Sequence, residues 1–242
     1  MKPKIVGILL LFFVLGSAHA QNPDFWEGIE SFDGPTDENP ILAAQINFYF
    51  DKFVAPLPDS ITLEINRLLE RTENHPDLRD FILWQLLEKY RHPEYMSQDQ
   101  VFVWLYDRYF SQLEIKDLNE YNLALIREKA ERLRRLALFN VAPNVKINDS
   151  VDLQSVESNY TILFFYDHDY DLCHQEMHAL DSVCALHPEI TALKIDMNDE
   201  AEGLDVLYDT YDIETTPLLY VLDREKRIIA KKIQAKQIPL VL

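Results

Sequence analysis

The hydrophobic pattern of the chain changes near its middle. From Pro40 to Phe139, apolar residues recur at intervals of three and four, which predicts amphipathic helices. Three proline-containing joints and a polar joint that ends at Asp117 or Asn119 divide this region into five segments. Short joints between helices predict an antiparallel helical domain over residues 40–140. We interpret the dense aromatic run of the fourth helix as core: Phe102, Trp104, Tyr106, Tyr109 and Phe110.

Capping residues predict where some of these helices begin. Asp59 or Ser60 is expected to cap the second helix. Asp117 or Asn119 is expected to open the fifth, which the pattern extends to Phe139. The outer face of the fifth helix has mixed charges that are typical of solvent exposure: Glu128, Glu131, Arg132, Arg134 and Arg135.

After residue 140, short apolar runs alternate with helical segments. The run Thr161–Asp167 is apolar on both faces, as in a central strand of a covered sheet. The order predicts two parallel strands around a helix, followed by an antiparallel hairpin, and therefore an α+β protein of two domains. The predicted elements are a weak strand at 145–147, strands at 161–167, 190–196, 218–223 and 227–233, and helices at 174–186 and 201–209.

The N-terminus has the pattern of a secretory signal. A basic start precedes an apolar run, Ile5–Leu15, which is followed by small residues up to Ala20. This arrangement predicts a signal peptide over residues 1–20, and no cysteine follows the run for lipid attachment. We therefore expect a cleaved, periplasmic protein that has no membrane anchor. Residues 21–39 are rich in Pro, Asp, Glu and Gly and are interpreted as an irregular arm.

The net charge of the chain limits the kinds of partner that it can bind. The chain has 23 Lys and Arg side chains against 41 Asp and Glu, a formal net charge of −18. Nucleic acid and anionic membrane surfaces repel such a protein, so we expect neither as a partner.

The two cysteines, Cys173 and Cys184, are the candidates for redox chemistry. If both lie on one helix, they are about 16 Å apart along its axis, which is too far for a disulfide. Cys173 lies at the junction of a strand and a helix, where helix N-terminal amides can stabilise a thiolate. Acidic neighbours oppose this effect, because Lys194 is the only lysine or arginine between Asp167 and Asp212.

Three sequence segments carry a resemblance to a known family. These are FNVAPNVKIND, FFYDHDYDLCHQE and DIETTPLLYVLDREKRIIAKK. Together they resemble the exported bacterial thioredoxin-like family of the TlpA and ResA type, in particular members that have a helical N-terminal domain of unknown function. The resemblance implies a thioredoxin-like domain over residues 141–242. It also implies a cis peptide bond before Pro217, with Thr216 and Pro217 beside a groove that receives an extended peptide.

The chain departs from the family at its redox motif. The family has two cysteines, of which the first attacks a substrate disulfide and the second resolves the intermediate. Here Tyr170 replaces the first and Cys173 retains the resolving position. The family's final helix is also missing after Ile233, so we expect either a truncated terminus or a sheet face that is closed by the helical domain.

We therefore expect that dithiol catalysis is lost and that the protein acts in binding or scaffolding. A protein or peptide partner would occupy the groove at Thr216 and Pro217, with the helical domain as a partner surface or a lid. The alternative is an oxidoreductase that works through Cys173 alone, with a thiol of another protein in place of the missing one.

No metal or cofactor is expected. The alternating Asp167, Asp169 and Asp171 lack the later glycine and glutamate of a calcium loop. We interpret His174 and His178 as polar residues on the outer face of their helix.

Overall fold

The computed structural model describes residues 25–29, 39–112, 114–146, 152–198 and 204–242. The predicted signal peptide and most of the predicted arm lie outside these ranges. Within them, a helical domain precedes an α/β domain, and the predicted two-domain α+β class is confirmed. None of the helices in the described ranges is long and apolar enough to cross a membrane.

Five α-helices form the described part of the N-terminal domain. Their buried faces share one core, which includes the aromatic residues Phe102 and Phe110 of the predicted core run. The fourth helix continues through a π-helical turn, Tyr106–Phe110. The helices are α1 (Pro40–Lys52), α2 (Pro58–Arg71), α3 (Pro76–Arg91), α4 (Asp99–Leu105) and α5 (Glu120–Arg135).

The first three helices begin at a proline, whose fixed φ suits the first helical position. Of the two residues predicted to open the fifth helix, Asn119 is the N-cap of α5. Its side-chain oxygen accepts a hydrogen bond from the Asn122 N–H at 2.8 Å. The predicted cap of the second helix is wrong. Because Pro58 already occupies the first position, Leu57 is the N-cap residue and provides no side-chain hydrogen bond.

The α/β domain contains a four-stranded sheet in the order β2-β1-β3-β4. The central strand β1 pairs in parallel with β2 and antiparallel with β3, and its five interior residues are buried. Helix α6 joins β1 to β2, and α7 precedes β3. The bounds are β1 (Tyr160–Tyr166), α6 (Asp171–Leu186), β2 (Ile190–Asp196), α7 (Leu204–Thr210), β3 (Leu218–Leu222) and β4 (Ile228–Lys231).

Two expectations about the ends of elements are wrong. Helix α5 ends at Arg135, and the apolar residues Leu136 and Leu138 that continued its pattern pack in the core of the α/β domain. The weak strand predicted at 145–147 is not formed at its described positions, where the Lys146 backbone forms an isolated bridge with Asp152.

A short helix follows the last strand. A 3₁₀ helix, Ala235–Leu240, follows β4 and buries Ala235 and Ile238 against the face of the sheet that α6 covers. Met96 of the helical domain packs at the edge of the same cluster. The expectation that no helix follows Ile233 is therefore wrong, and this short helix helps to close the sheet face.

The segment that connects the domains is hydrogen-bonded to the sheet. The N–H of Phe139 donates to the carbonyl of Ile228 at 2.8 Å, and the Ile228 N–H donates to the carbonyl of Asn140 at 2.9 Å. The Ala142 N–H donates to the carbonyl of Lys226 at 2.8 Å. The connecting segment Phe139–Ala142 is thus held against the start of β4.

Candidate functional site

A tight turn joins β1 to α6. Its first residue, Asp167, accepts hydrogen bonds from the Asp169 N–H at its side chain (2.8 Å) and from the Tyr170 N–H at its carbonyl (3.2 Å). Tyr170 is the N-cap residue of α6, with an extended backbone. The turn therefore places position 170 just outside the helix and position 173 in its first turn.

Cys173 is fully buried. Its Sγ accepts a hydrogen bond from the backbone N–H of Asp167 at 3.4 Å, and its own N–H donates to the carbonyl of Tyr170 at 2.9 Å. The thiol therefore faces protein backbone rather than solvent. Cys184 is partly exposed, and burial together with the nearby Asp181 raises the pKa of its thiol.

A groove of about 530 Å³ lies beside the Thr216–Pro217 peptide bond, which is cis. Leu172 of α6 contributes to one wall, and Pro93 of the helical domain contributes to another. The apolar residues Phe164, Leu219 and Ile233 also line it.

Of the sequence-predicted site residues, Thr216 and Pro217 lie together at this groove. Tyr170 is half exposed but is not among the residues that line it, and Cys173 is buried beneath the turn. Sequence reasoning missed Leu172, which is 45% exposed and reaches the groove. Its position between Tyr170 and Cys173 was the available signal.

Glu176 lies one helical turn after Leu172 and also lines the groove. Its Oε2 accepts a hydrogen bond from the backbone N–H of Ala235 at 2.8 Å. This bond joins α6 to the C-terminal 3₁₀ helix at the edge of the groove.

A buried cluster of charges precedes the Thr216–Pro217 bond. The carboxylate of Asp212 is fully buried and lies 2.8 Å and 3.0 Å from the Nζ of Lys129 on α5. Arg132 and Lys232 each approach the same carboxylate at 3.3 Å. Burial raises the pKa of Asp212, but the neighbouring Lys129 and Lys232 outweigh it and hold that pKa below its usual value.

Glu214 makes a second link to the helical domain. Its carboxylate accepts a hydrogen bond from Lys129, and its Oε2 lies 2.7 Å from the Nδ1 of His92 at the end of α3. The interpretation of the charged face of α5 as solvent exposed is therefore wrong for Arg132, which contacts Asp212 of the α/β domain.

Histidines and acids surround the mouth of the β1–α6 turn. The Nδ1 of His168 lies 2.7 Å from Asp196, and the Nε2–H of His174 donates to the carbonyl of His168 at 2.7 Å. The hydrogen bond and the charge of Asp196 raise the pKa of His168. No group of three or more His, Cys, Asp or Glu side chains in the described ranges has the arrangement of a metal site.

No protein-family model matches the chain, and no curated protein matches it in sequence. A solved thioredoxin-like protein from Bacteroides caccae matches it with a TM-score of 0.68 at 14% identity, over 88% of this chain and 87% of that chain. A domain of a possible thiol-disulfide isomerase from Cytophaga hutchinsonii is 27% identical over 43% of this chain and 89% of that chain, with a TM-score of 0.38. The likeness to the Bacteroides caccae protein shows a thioredoxin-like fold.

Proposed function

From the thioredoxin-like fold and its altered motif, we propose that this is an exported, redox-impaired protein that binds an extended polypeptide segment at Thr216 and Pro217. What supports this proposal is the presence of Tyr170 where the resemblance implies an attacking cysteine, together with an open groove beside Pro217. Its role is then binding or scaffolding of another protein.

Loss of dithiol chemistry follows from the groups that are present. Thiol–disulfide exchange requires an attacking thiolate that reaches a substrate disulfide. The phenol of Tyr170 cannot form that bond, and the Sγ of Cys173 is buried against the Asp167 N–H. The burial favours binding over the alternative of an oxidoreductase that works through Cys173 alone, because that alternative needs an accessible sulfur.

The groove has features that suit an extended peptide. Neither the N–H nor the C=O of Thr216 has a hydrogen-bond partner among the described residues, so both are available to a neighbouring strand. The walls at Phe164, Leu172 and Ile233 are apolar and suit an apolar side chain of the bound segment. The proposed occupant is therefore an extended segment that carries an apolar residue.

A random peptide library displayed on phage, selected on the mature chain, tests the binding proposal. We expect the selection to enrich peptides that bind the unmodified chain. Their affinity for the Leu172→Glu variant, measured by fluorescence anisotropy, should be about tenfold lower. Leu186→Glu is the matched control, because Leu186 is an exposed leucine at the other end of the same helix. Failure to enrich any peptide, or equal binding by both variants, would contradict the proposal.

Redox impairment and export have separate tests. The mature chain is expected not to accelerate the reduction of insulin disulfides by dithiothreitol. An increase above the uncatalysed rate would contradict the proposed redox impairment.

The proposal of export rests on residues 1–20. N-terminal sequencing of the periplasmic protein should find Gln21 as the first residue.

A further inference from the structure

We propose that both domains form the peptide-binding groove. In this groove, Lys129 of the helical domain positions the backbone that leads to Thr216, and His92 helps to determine which peptide sequences bind. This inference rests on the proposed function, because it concerns the same peptide groove. It assigns to the helical domain a part in recognition that goes beyond a lid or a separate partner surface.

The helical domain borders the groove directly. His92 and Pro93 follow the end of α3 and line the same cavity as Thr216 and Pro217. The His92 side chain is 57% exposed, so an occupant of the groove can contact it. A bound segment would therefore touch residues of both domains at once.

Lys129 holds the segment that leads into Thr216. It is a buried lysine on α5, and its single ammonium group contacts both Asp212 and Glu214. Only one residue separates Glu214 from Thr216 along the chain. Lys129 thereby fixes the approach of the backbone to the groove from outside the thioredoxin-like domain.

The backbone at this point needs external support. Asp212 has a φ of 53° and Lys232 has a φ of 56°, in the left-handed region that non-glycine residues rarely adopt. Their side chains pair with each other at 3.3 Å, and Lys129 completes the cluster from the other domain. The carboxylate contacts thus stabilise a conformation that the local sequence does not favour.

The charges also predict which part of the cluster depends on Lys129. Without it, Asp212 retains Arg132 and Lys232 as partners. Glu214 retains only His92 among its described ion-pair partners. We therefore expect that removal of Lys129 releases Glu214 and the residues after it, while the core of each domain remains folded.

The first experiment compares two buried lysines in the full mature chain. The probes are the phage-selected peptides that bind the unmodified protein. We expect Lys129→Met to weaken their binding at least about tenfold and to speed amide hydrogen exchange over residues 212–217, with recovery in Lys129→Arg. Lys226→Met is the matched control, because Lys226 is a buried lysine that hydrogen-bonds Thr161 rather than the groove loop.

The outcomes separate the two proposals. If no peptide binds the unmodified chain, the proposed function fails, and the exchange measurement still tests the positioning role of Lys129. Unchanged exchange over residues 212–217 in Lys129→Met would overturn that role. Peptide binding that falls equally in Lys129→Met and Lys226→Met would also overturn it, since the loss would then reflect general destabilisation.

The second experiment tests whether His92 affects which peptide sequences bind in the groove. Phage selection on a His92→Ala variant should enrich sequences different from those enriched by the unmodified chain. His75→Ala is the matched control, because His75 flanks the opposite end of the same helix and does not line the groove. The same enriched sequences from His92→Ala and from the unmodified chain would overturn the assignment of His92.

Discussion

The backbone N–H of Asp167 donates a hydrogen bond to the Sγ of Cys173 at 3.4 Å. The bond spans the turn between β1 and α6, so the thiol supports that turn while the chain around it excludes solvent. The sulfur of Cys173 is thus shielded from solvent by the turn that it contacts.

Thiol labelling should therefore distinguish the two cysteines. Under native conditions, N-ethylmaleimide is expected to react mainly with the partly exposed Cys184, slowly because the pKa of that thiol is raised. A Cys184→Ser variant should be almost unreactive until urea is added, whereas Cys173→Ser should label like the unmodified chain. Rapid native labelling of Cys184→Ser would contradict the burial of Cys173.

A cysteine at position 170 should restore the dithiol. Residues three apart across a helical turn are neighbours, and a disulfide needs a Cα separation of about 4.4–6.8 Å. We expect Tyr170→Cys to form a disulfide with Cys173 in air, detected by mass spectrometry after alkylation, and to gain insulin-reducing activity. Leu172→Cys is the control and should form none, because adjacent helical side chains do not face each other.

The buried ion pair between Asp99 and Lys231 should have a large effect on stability. Both side chains are almost completely buried, and burial lowers the pKa of Lys231 while Asp99 opposes the shift. Removing one charge leaves the other uncompensated, so Asp99→Asn should lower the free energy of unfolding by about 3–5 kcal/mol in urea titrations.

The control for this prediction is an exposed pair in the helical domain. Asp51 contacts Lys89 and has a 46% exposed side chain, so Asp51→Asn should cost about 0–1 kcal/mol. Replacing both Asp99 and Lys231 by apolar residues should recover much of the loss. Equal costs for Asp99→Asn and Asp51→Asn would contradict the prediction.

His168 should titrate above its usual pKa of about 6.5. The carboxylate of Asp196 favours the charged imidazolium. His168 therefore favours the folded state fully below its unfolded pKa, and this contribution is lost as pH rises through the raised folded pKa. In an NMR titration, Asp196→Asn should lower the midpoint more than Asp169→Asn, because Asp169 lies farther away at 3.5 Å. Equal midpoints for the two variants would refute this.

Elements with a regular pattern could be predicted from sequence. The strand Ile190–Asp196 has the predicted bounds, and β1 has the predicted burial on both faces. Local periodicity sufficed there because each element packs through the face that the pattern marks. The end of α5 could not be predicted in the same way, since Leu136 and Leu138 keep an apolar pattern but contact the other domain.

The pairing of the buried charges between the domains could not be predicted from the local sequence. Lys129 and Asp212 are 83 positions apart, and Lys231 and Asp99 are 132 apart. Along its own helix, Lys129 lies three residues after Ile126 and four before Leu133, so its spacing already places it on the buried face of α5. Only the packing of the two domains decides which carboxylates such a lysine meets, and therefore the link from α5 to the groove required the structure.

The groove was located only in part. Thr216 and Pro217 could be placed by their resemblance to a known motif, but the wall at His92 and Pro93 belongs to a domain with no recognised site. Tyr170 does not line the groove, whereas Leu172, two positions later, reaches it.

The segment Phe139–Ala142 is hydrogen-bonded to the start of β4, and this attachment would limit hinge motion between the two domains beside the groove. A hinge needs a joint whose backbone can rotate, and here the joint is fastened on the sheet side by three hydrogen bonds. In the proposed binding, the width of the groove would then be set before a ligand arrives, and binding would need little reorganisation. Association would accordingly proceed at the ordinary rate of preformed surfaces, with differences in affinity arising chiefly in how long the complex survives.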